Sequence, residues 1–384
     1  MISITKLYCD RSTWGDTLRY ETPHTQRKPV VVWNCTRRCN LKCVHCYSQS
    51  CNEPYEDELS TAEARAMIRD LADFRVPVLL FSGGEPLMRH DIFELGAYAR
   101  KLGIRPVIST NGTLITKSVA ALIKETGFAY VGISLDGVGE TNDRFRGQKG
   151  AFDAAMRGFE SCISMGQKVG LRLTMTKGNV KELPAIFNLV EQTRIPRVCF
   201  YHLVYTGRGA EIVEDDLSHQ QTREAFDFIL DRAMDLHRRG LDKDILMVDN
   251  HCDGVYLYLR LLSEDPQRAK QVYALLEANG GNASGVAIGC VDNIGDVHAD
   301  QFWQSYTFGN VRERPFSQIW TDTSDPIMAG LKNRKPLLKG RCAQTKCRWI
   351  DVCNGNFRAR AVAVYGDCWM QDPACYLTDE EIAR

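Results

Sequence analysis

With 384 residues and 44% apolar side chains, the chain is long enough for a sizeable core and too short for three ordinary domains. Forty-eight basic residues balance 48 acidic ones, so no charge excess predicts a nucleic-acid or anionic-membrane partner. No apolar run reaches the roughly 18 residues of a membrane span, and the N-terminal stretch has no apolar signal core, so the expected location is cytoplasmic.

Residues 1–29 are polar, contain Pro23 and Pro29, and read as an N-terminal extension. From residue 30 to about 240, strand and helix patterns alternate. Short apolar runs rich in β-branched residues, as in buried parallel strands, fall at 30–35, 78–81, 106–109, 130–135, 169–175 and 197–204. Helical periodicity lies between them, over roughly 91–102, 117–126, 151–165 and 180–192. Two further helices are announced by capping boxes, Ser60 with Glu63 and Ser218 with Gln221. Strands alternating with helices predict a parallel sheet with right-handed crossovers. Six units fall short of the eight that close a barrel, so the expected class is α/β, an open partial (β/α)6 barrel over 30–240. Beyond 240 the alternation ends. Residues 241–384 are expected to form a separate region. It holds helices at 254–278 and 316–331, a hairpin across Asp292-Asn293-Ile294-Gly295, and an irregular cysteine-rich stretch at 340–376.

Fifteen cysteines without a signal peptide predict metal or redox chemistry rather than disulfides. Three fall within 39–46 and five within 342–375. Cys39, Cys43 and Cys46 follow the first strand, on a loop at the carboxyl end where barrel active sites are built. Three thiolates are too few for a closed zinc site, and His45, squeezed between two of them, is a poor fourth ligand. A four-iron cluster there would keep one iron free of protein ligands. Gly83-Gly84-Glu85-Pro86 ends the second strand, where two glycines let backbone approach a ligand and a carboxylate can accept from an ammonium group. Thr110 and Asn111 follow the third strand, as pocket lining or as a plain turn. Ser134 and Asp136 alternate with Ile133 and Leu135, so both point the same way and suit hydroxyl groups. Arg146 lies ten residues beyond Asp136.

In this order and spacing, these segments resemble the signature of radical S-adenosylmethionine (SAM) enzymes. The resemblance implies a [4Fe–4S] cluster on Cys39, Cys43 and Cys46. It gives the SAM amino group to Gly83, Gly84 and Glu85, its ribose to Ser134 and Asp136, and its carboxylate to Arg146, with Arg144 competing. It also implies the chemistry: one electron passed to the sulfonium releases methionine and a 5′-deoxyadenosyl radical that abstracts hydrogen from unactivated carbon. The segment from Cys290 through Gly295-Asp296-Val297 and Trp320 to Cys353 resembles the SPASM/twitch extension. That implies an auxiliary [4Fe–4S] cluster on Cys342, Cys347, Cys353 and Cys375, with Cys368 or Cys290 as substitutes and zinc as the other occupant such spacing allows. Asp300 stands where the extension often has a cysteine, which argues for one auxiliary cluster. Cys9, Cys35, Cys51, Cys162, Cys199 and Cys252 show no ligand spacing and read as core.

Residues 30–43, 295–303 and 373–382 resemble the tetrapyrrole-modifying subgroup, in particular the NirJ-type proteins of heme d1 biosynthesis. The implied reaction removes two propionate side chains from 12,18-didecarboxysiroheme, with a ferredoxin or flavodoxin as electron donor. Oxidative decarboxylation of iron-coproporphyrin III, by the heme synthase of the siroheme route, is the alternative. A peptide-modifying SPASM maturase is another, although the N-terminal segment looks too small for a peptide-binding domain. Arg208 is a candidate carboxylate clamp, His298 and Trp303 candidate ring contacts, and His202 and His251 candidate iron ligands.

Overall fold

The computed structural model describes residues 1–23, 26–241 and 243–383. Among them, ten strands form one sheet in the order β1-β8-β7-β6-β5-β4-β3-β2-β9-β10. These are β1 (Ile2–Ser3), β2 (Val30–Thr36), β3 (Val78–Gly83), β4 (Arg105–Thr110), β5 (Val131–Ser134), β6 (Val169–Met175), β7 (Arg197–His202), β8 (Asp244–Val248), β9 (Ile288–Val291) and β10 (Val297–His298). The predicted open α/β sheet is present, and it is wider than six strands. β2 through β8 run parallel in sequence order, and β9 adds to the free side of β2, also parallel. The ladder does not close, because β1 pairs antiparallel with β8 and β10 pairs antiparallel with β9.

Each strand divides its side chains by the two-residue period. Val31, Trp33 and Cys35 of β2, Leu79 and Phe81 of β3, and Ile133 of β5 pack into the main core under the helices. Their alternates, Val32, Leu80, Ser134, Arg172 and Tyr201, face the inside of the curved sheet and line cavities there. Both capping boxes form: Ser60 opens helix Thr61–Asp73 and Ser218 opens helix His219–Arg238.

Three expectations are corrected. The alternation does not end near 240: β8 is a further parallel strand, short and entirely buried, and the chain beyond it returns β9 to the same sheet. Residues 1–29 are not a mere extension, since Ile2, Ile4 and Leu7 are buried and β1 covers the edge of β8. The stretches at 254–278 and 316–331 are each two helices. Asp265 caps a new helix at Pro266, and Asp325 caps another at Pro326, because proline fits the first turn and not the interior. No helix among the described residues is long and apolar enough to cross a membrane.

Candidate functional site

The loop after β2 brings Cys39, Cys43 and Cys46 to one cavity at the carboxyl ends of the strands, together with Ser82, Gly83, Gly84, Thr110, Asn111, Ser134, Asp136 and Arg146. Neighbouring backbone holds this loop in place. The amides of Lys42 and Val44 donate to the carbonyls of Arg146 and Phe145. Gly84 passes so close to the loop that a Cβ there would lie 2.3 Å from the Arg38 carbonyl. Only glycine permits that approach.

Each sulfur already has a polar neighbour. Leu41 N–H donates to Cys39 Sγ at 3.4 Å, Arg146 Nη1 to Cys43 Sγ at 3.6 Å, and Cys46 Sγ lies 3.4 Å from Ser48 Oγ. Burial pushes the Cys39 thiol up to about 12 and raises Cys43 as well, with Arg146 opposing the rise at Cys43. Protonated thiols at neutral pH would have to lose their protons on binding iron. A [4Fe–4S] cluster fits this set: three sulfurs on one cavity, donors to Cys39 and Cys43 that would stabilise a reduced cluster, and a guanidinium beside it. Among the described residues no three His, Cys, Asp or Glu side chains form a single-ion site.

The remaining predicted contacts divide. Asp136 is 1% exposed and anchors the wall beside the cysteine loop: its carboxylate pairs with Arg146 at 2.5 Å and with His45 at 3.3 Å, and it accepts from Thr174 N–H at 2.7 Å. Arg146, not Arg144, faces the cavity, while Arg144 donates to Thr141. Ser134 lines the cavity as expected. Glu85 lies beneath the cavity wall, fully buried. Its carboxylate accepts from Thr110 Oγ1 at 2.7 Å, Asn111 N–H at 2.8 Å and Leu87 N–H at 3.1 Å. Burial raises its pKa against those bonds. This glutamate therefore positions Thr110 and Asn111, and Asn111 in turn reaches Cys39 Sγ and Asn40 Oδ1.

The C-terminal thiols also converge. Cys342, Cys347, Cys353 and Cys375 lie close enough that the charges of the other three each disfavour ionisation of Cys353. Backbone N–H groups of Asp372, Gly355 and Leu377 point at the sulfurs of Cys342, Cys353 and Cys375. Four thiols with amide donors suit a fully ligated auxiliary cluster. Cys368 packs instead with Trp303 and Phe357, and Cys290 sits on β9 beside Tyr47. The sequence pattern passed over one thiol: Cys252, at the start of helix Cys252–Glu264, lies against Cys375, and that contact draws the Cys375 thiol down.

Several substrate candidates are reassigned. Arg208 is no free clamp, because its guanidinium donates to the carbonyls of Cys43 (2.7 Å) and Ser50 (3.1 Å) and braces the cysteine loop. His298 is spent within the hairpin region on Tyr306 O and Asp292, and Trp303 is buried in a small apolar cluster, whereas the preceding Gln301 and Phe302 line the cavity. His202 does line it, with Nε2 3.0 Å from Asp253, whose other oxygen accepts from Tyr376 OH. His251 lies lower, in a second cavity. Three residues missed in the sequence also face the interior: Arg172, Tyr201 and Asp249. Asp249 directly follows β8 with φ +68°, a strained value for a non-glycine, and burial raises its carboxyl to about 6. The signal was available in Ile245-Leu-Met-Val-Asp-Asn-His251, an apolar run ending in polar residues like the other strand ends.

Comparison with known proteins gives the family and the fold. The model of the radical SAM superfamily matches residues 33–190. The Fe-coproporphyrin III synthase of Methanosarcina barkeri is 60% identical, over 100% of this chain and 99% of that protein. The pre-heme d1 synthase of Dinoroseobacter shibae is 46% identical, over 96% of this chain and 92% of that protein. Among solved structures, Streptococcus suis SuiB bound to S-adenosylmethionine aligns with a TM-score of 0.70 over 91% of this chain and 78% of its own, at 18% identity, which speaks for the fold.

Proposed function

The chain belongs to the radical SAM family of enzymes, with S-adenosylmethionine and a [4Fe–4S] cluster as cofactors, and from that premise we propose that it forms Fe-coproporphyrin III from 12,18-didecarboxysiroheme. It is homologous to enzymes of tetrapyrrole biosynthesis. The observation that carries the finer reading is 60% identity, end to end, with a Fe-coproporphyrin III synthase. Between the two compounds, two acetic acid side chains are lost. The heme side of this family, the alternative reading of the sequence, thus has more support than the heme d1 side. Within it, the product name favours formation of iron-coproporphyrin over its decarboxylation.

Bound SAM and the cluster supply the radical that abstracts hydrogen from carbon. The protein's own residues do the rest. Cys39, Cys43 and Cys46 would hold the cluster. The backbone at Gly83 and Gly84, with Thr110 and Asn111 fixed by Glu85, would receive the methionine end of SAM. Ser134 and the Asp136–Arg146 pair would receive its ribose and carboxylate. The cavity walls keep water from the reacting carbon. Cys342, Cys347, Cys353 and Cys375 would hold the auxiliary cluster, and a low-potential ferredoxin or flavodoxin would deliver electrons.

A second reading is removal of two propionates on the heme d1 branch, which the 46% relationship to a pre-heme d1 synthase favours. One assay separates the two. Anaerobically reconstituted protein is given SAM, a reductant and 12,18-didecarboxysiroheme, and the tetrapyrrole is weighed by mass spectrometry. Loss of two acetic acid units with matching 5′-deoxyadenosine supports the proposal. Loss of two propionic acid units selects the second reading. An unchanged tetrapyrrole, with iron-coproporphyrin III converted instead, overturns both in favour of decarboxylation.

A further inference from the structure

A second cavity, of about 610 Å³, lies inside the curved sheet below the cysteine-lined one, toward the amino ends of the strands. That volume falls in the range of ligand pockets, about 300–1,000 Å³. Its walls include Trp14, Tyr130, Leu246, Val248, Phe302 and Phe357, which give a broad apolar and aromatic lining. The two cavities share Val32, Leu80, Arg172, Tyr201, Asp249, Gln301 and Phe302 as common wall.

Arg172 stands out at that junction. Other arginines of the interior are either neutralised, Arg197 by Asp244 and Arg360 by Asp372, or, like Arg334 and Arg358, saturated by carbonyl and amide oxygens. Arg172 hydrogen-bonds the Ser109 hydroxyl and lies over the Tyr201 ring at 4.8 Å, but among the described residues no carboxylate lies within ion-pair distance of it. Asp249, on the same junction, does not reach it, and its own Oδ2 has no hydrogen-bond partner. A cation inside a protein without a counter-charge is costly, by several kcal/mol as an order of magnitude. Such a group is kept where a ligand brings the missing charge, and a guanidinium receives a carboxylate through two parallel hydrogen bonds.

We propose that the lower cavity is the substrate chamber for the flat tetrapyrrole, and that Arg172 binds a carboxylate of the side chain presented to the cysteine-lined cavity above. The inference rests on the tetrapyrrole reading of function and goes beyond it in assigning a chamber and a specificity residue. Aromatic and aliphatic walls take the ring faces. Arg105, on the amino end of β4, lies at the lower end of the same chamber for a distal carboxylate.

The test is an anaerobic optical titration of the holoprotein with 12,18-didecarboxysiroheme and, in parallel, with its methyl ester. Wild type is expected to bind the acid at least ~10-fold more tightly than the ester, the size of a charge-assisted hydrogen bond. Arg172→Met should erase that preference and raise KM about 10- to 100-fold, while iron content and SAM affinity stay at wild-type values; Arg172→Lys should recover part of the preference. Leu246→Trp, which fills the chamber, should block binding of both compounds with the clusters intact. Wild-type acid-over-ester preference in Arg172→Met, or wild-type binding in Leu246→Trp, overturns the inference while leaving the tetrapyrrole reading in place. Failure of wild type to bind either compound, with SAM still cleaved, overturns that reading and the inference with it.

Discussion

Cys39, Cys43 and Cys46 hang from one loop and line a cavity, whereas Cys342, Cys347, Cys353 and Cys375 come from separate turns of an irregular segment and line neither large cavity. The first site offers three sulfurs and, beside them, an ion-paired wall of Asp136 and Arg146. The second offers four sulfurs, backbone N–H donors and the fully buried Arg358, which donates to the carbonyls of Cys368 and Met370 at 2.7 Å. Open ligation with nearby polar groups is what a cluster that must touch SAM requires. Closed ligation inside packed backbone suits a cluster that only carries electrons or fixes the fold. The difference is one of ligand count and access, not of ligand type.

The largest effect should come from exchanging cysteines for alanine in each set. Cys43→Ala is expected to abolish SAM cleavage, by more than about a thousandfold, and to remove about four irons per chain. Cys353→Ala should remove a similar amount of iron and most tetrapyrrole conversion, yet leave measurable SAM cleavage. Iron analysis and 5′-deoxyadenosine assay of both variants decide the matter. SAM cleavage lost equally in both would erase the distinction between open and closed sites.

Next in size is the wall of the open site. Asp136→Asn leaves the buried Arg146 without its partner, which costs about 3–5 kcal/mol of stability. SAM affinity should fall in the same variant. Chemical denaturation of the apoprotein measures the first and a SAM titration the second; a stability change under about 1 kcal/mol would mean that the pair does not form.

The open side also carries Asp249, whose carboxyl is raised to about 6 by burial. The sign follows from proton counts. Between the ordinary carboxylate value near 4 and about 6, the folded state holds a proton that the unfolded state has lost, so stability falls as pH rises through that window. The loss amounts to about 3 kcal/mol above pH 6, as an order of magnitude. Asp249→Asn should therefore stabilise the protein at neutral pH and give no gain below about pH 4. With its strained backbone at the junction of the two cavities, the residue should lower turnover when replaced. Melting curves across pH test the sign, and a variant equally stabilised at pH 4 and pH 7 would contradict it.

Much of this was legible in the chain, and the misses have physical causes. Strands β2 to β7 showed as short apolar runs, and the capping boxes at Ser60 and Ser218 marked their helices, because those signals are local. β8 escaped because a five-residue strand after a long helix carries little periodicity, and with it went Asp249. The site motifs singled out Gly83, Ser134 and Asp136 at strand ends, and the fold brings them to one cavity with Arg146, the last residue of helix Glu140–Arg146. What Glu85 and Arg208 do was invisible: both turn inward to hold loops distant in sequence, and only packing reveals it. Arg172 was hidden for the same reason, as its significance lies in the carboxylate that is missing beside it. Cys252 lacked ligand spacing altogether, 123 residues before Cys375 in sequence, and came to it through the fold.

Cys252 gives the smallest and most discriminating test of the closed site. It is fully buried, and its one S–H has two acceptors within reach, Asn250 Oδ1 at 2.9 Å and the sulfur of Cys375. Its contact with Cys375 draws that thiol down, as a donor to sulfur does. If Cys375 is the fourth ligand and Cys252 its hydrogen-bonding neighbour, Cys252→Ala should keep the full iron content and cost no more than about 1–2 kcal/mol of stability. Loss of a donor to a ligand sulfur destabilises the reduced cluster, so the auxiliary potential should shift to a more negative value. Cys375→Ala should then lose the cluster. If the roles are reversed, Cys252→Ala loses the iron and Cys375→Ala keeps it. Iron analysis and redox titration of the two single variants therefore name the fourth ligand without any substrate, and show whether the closed site is built from the C-terminal segment alone or is completed by the helix that follows β8.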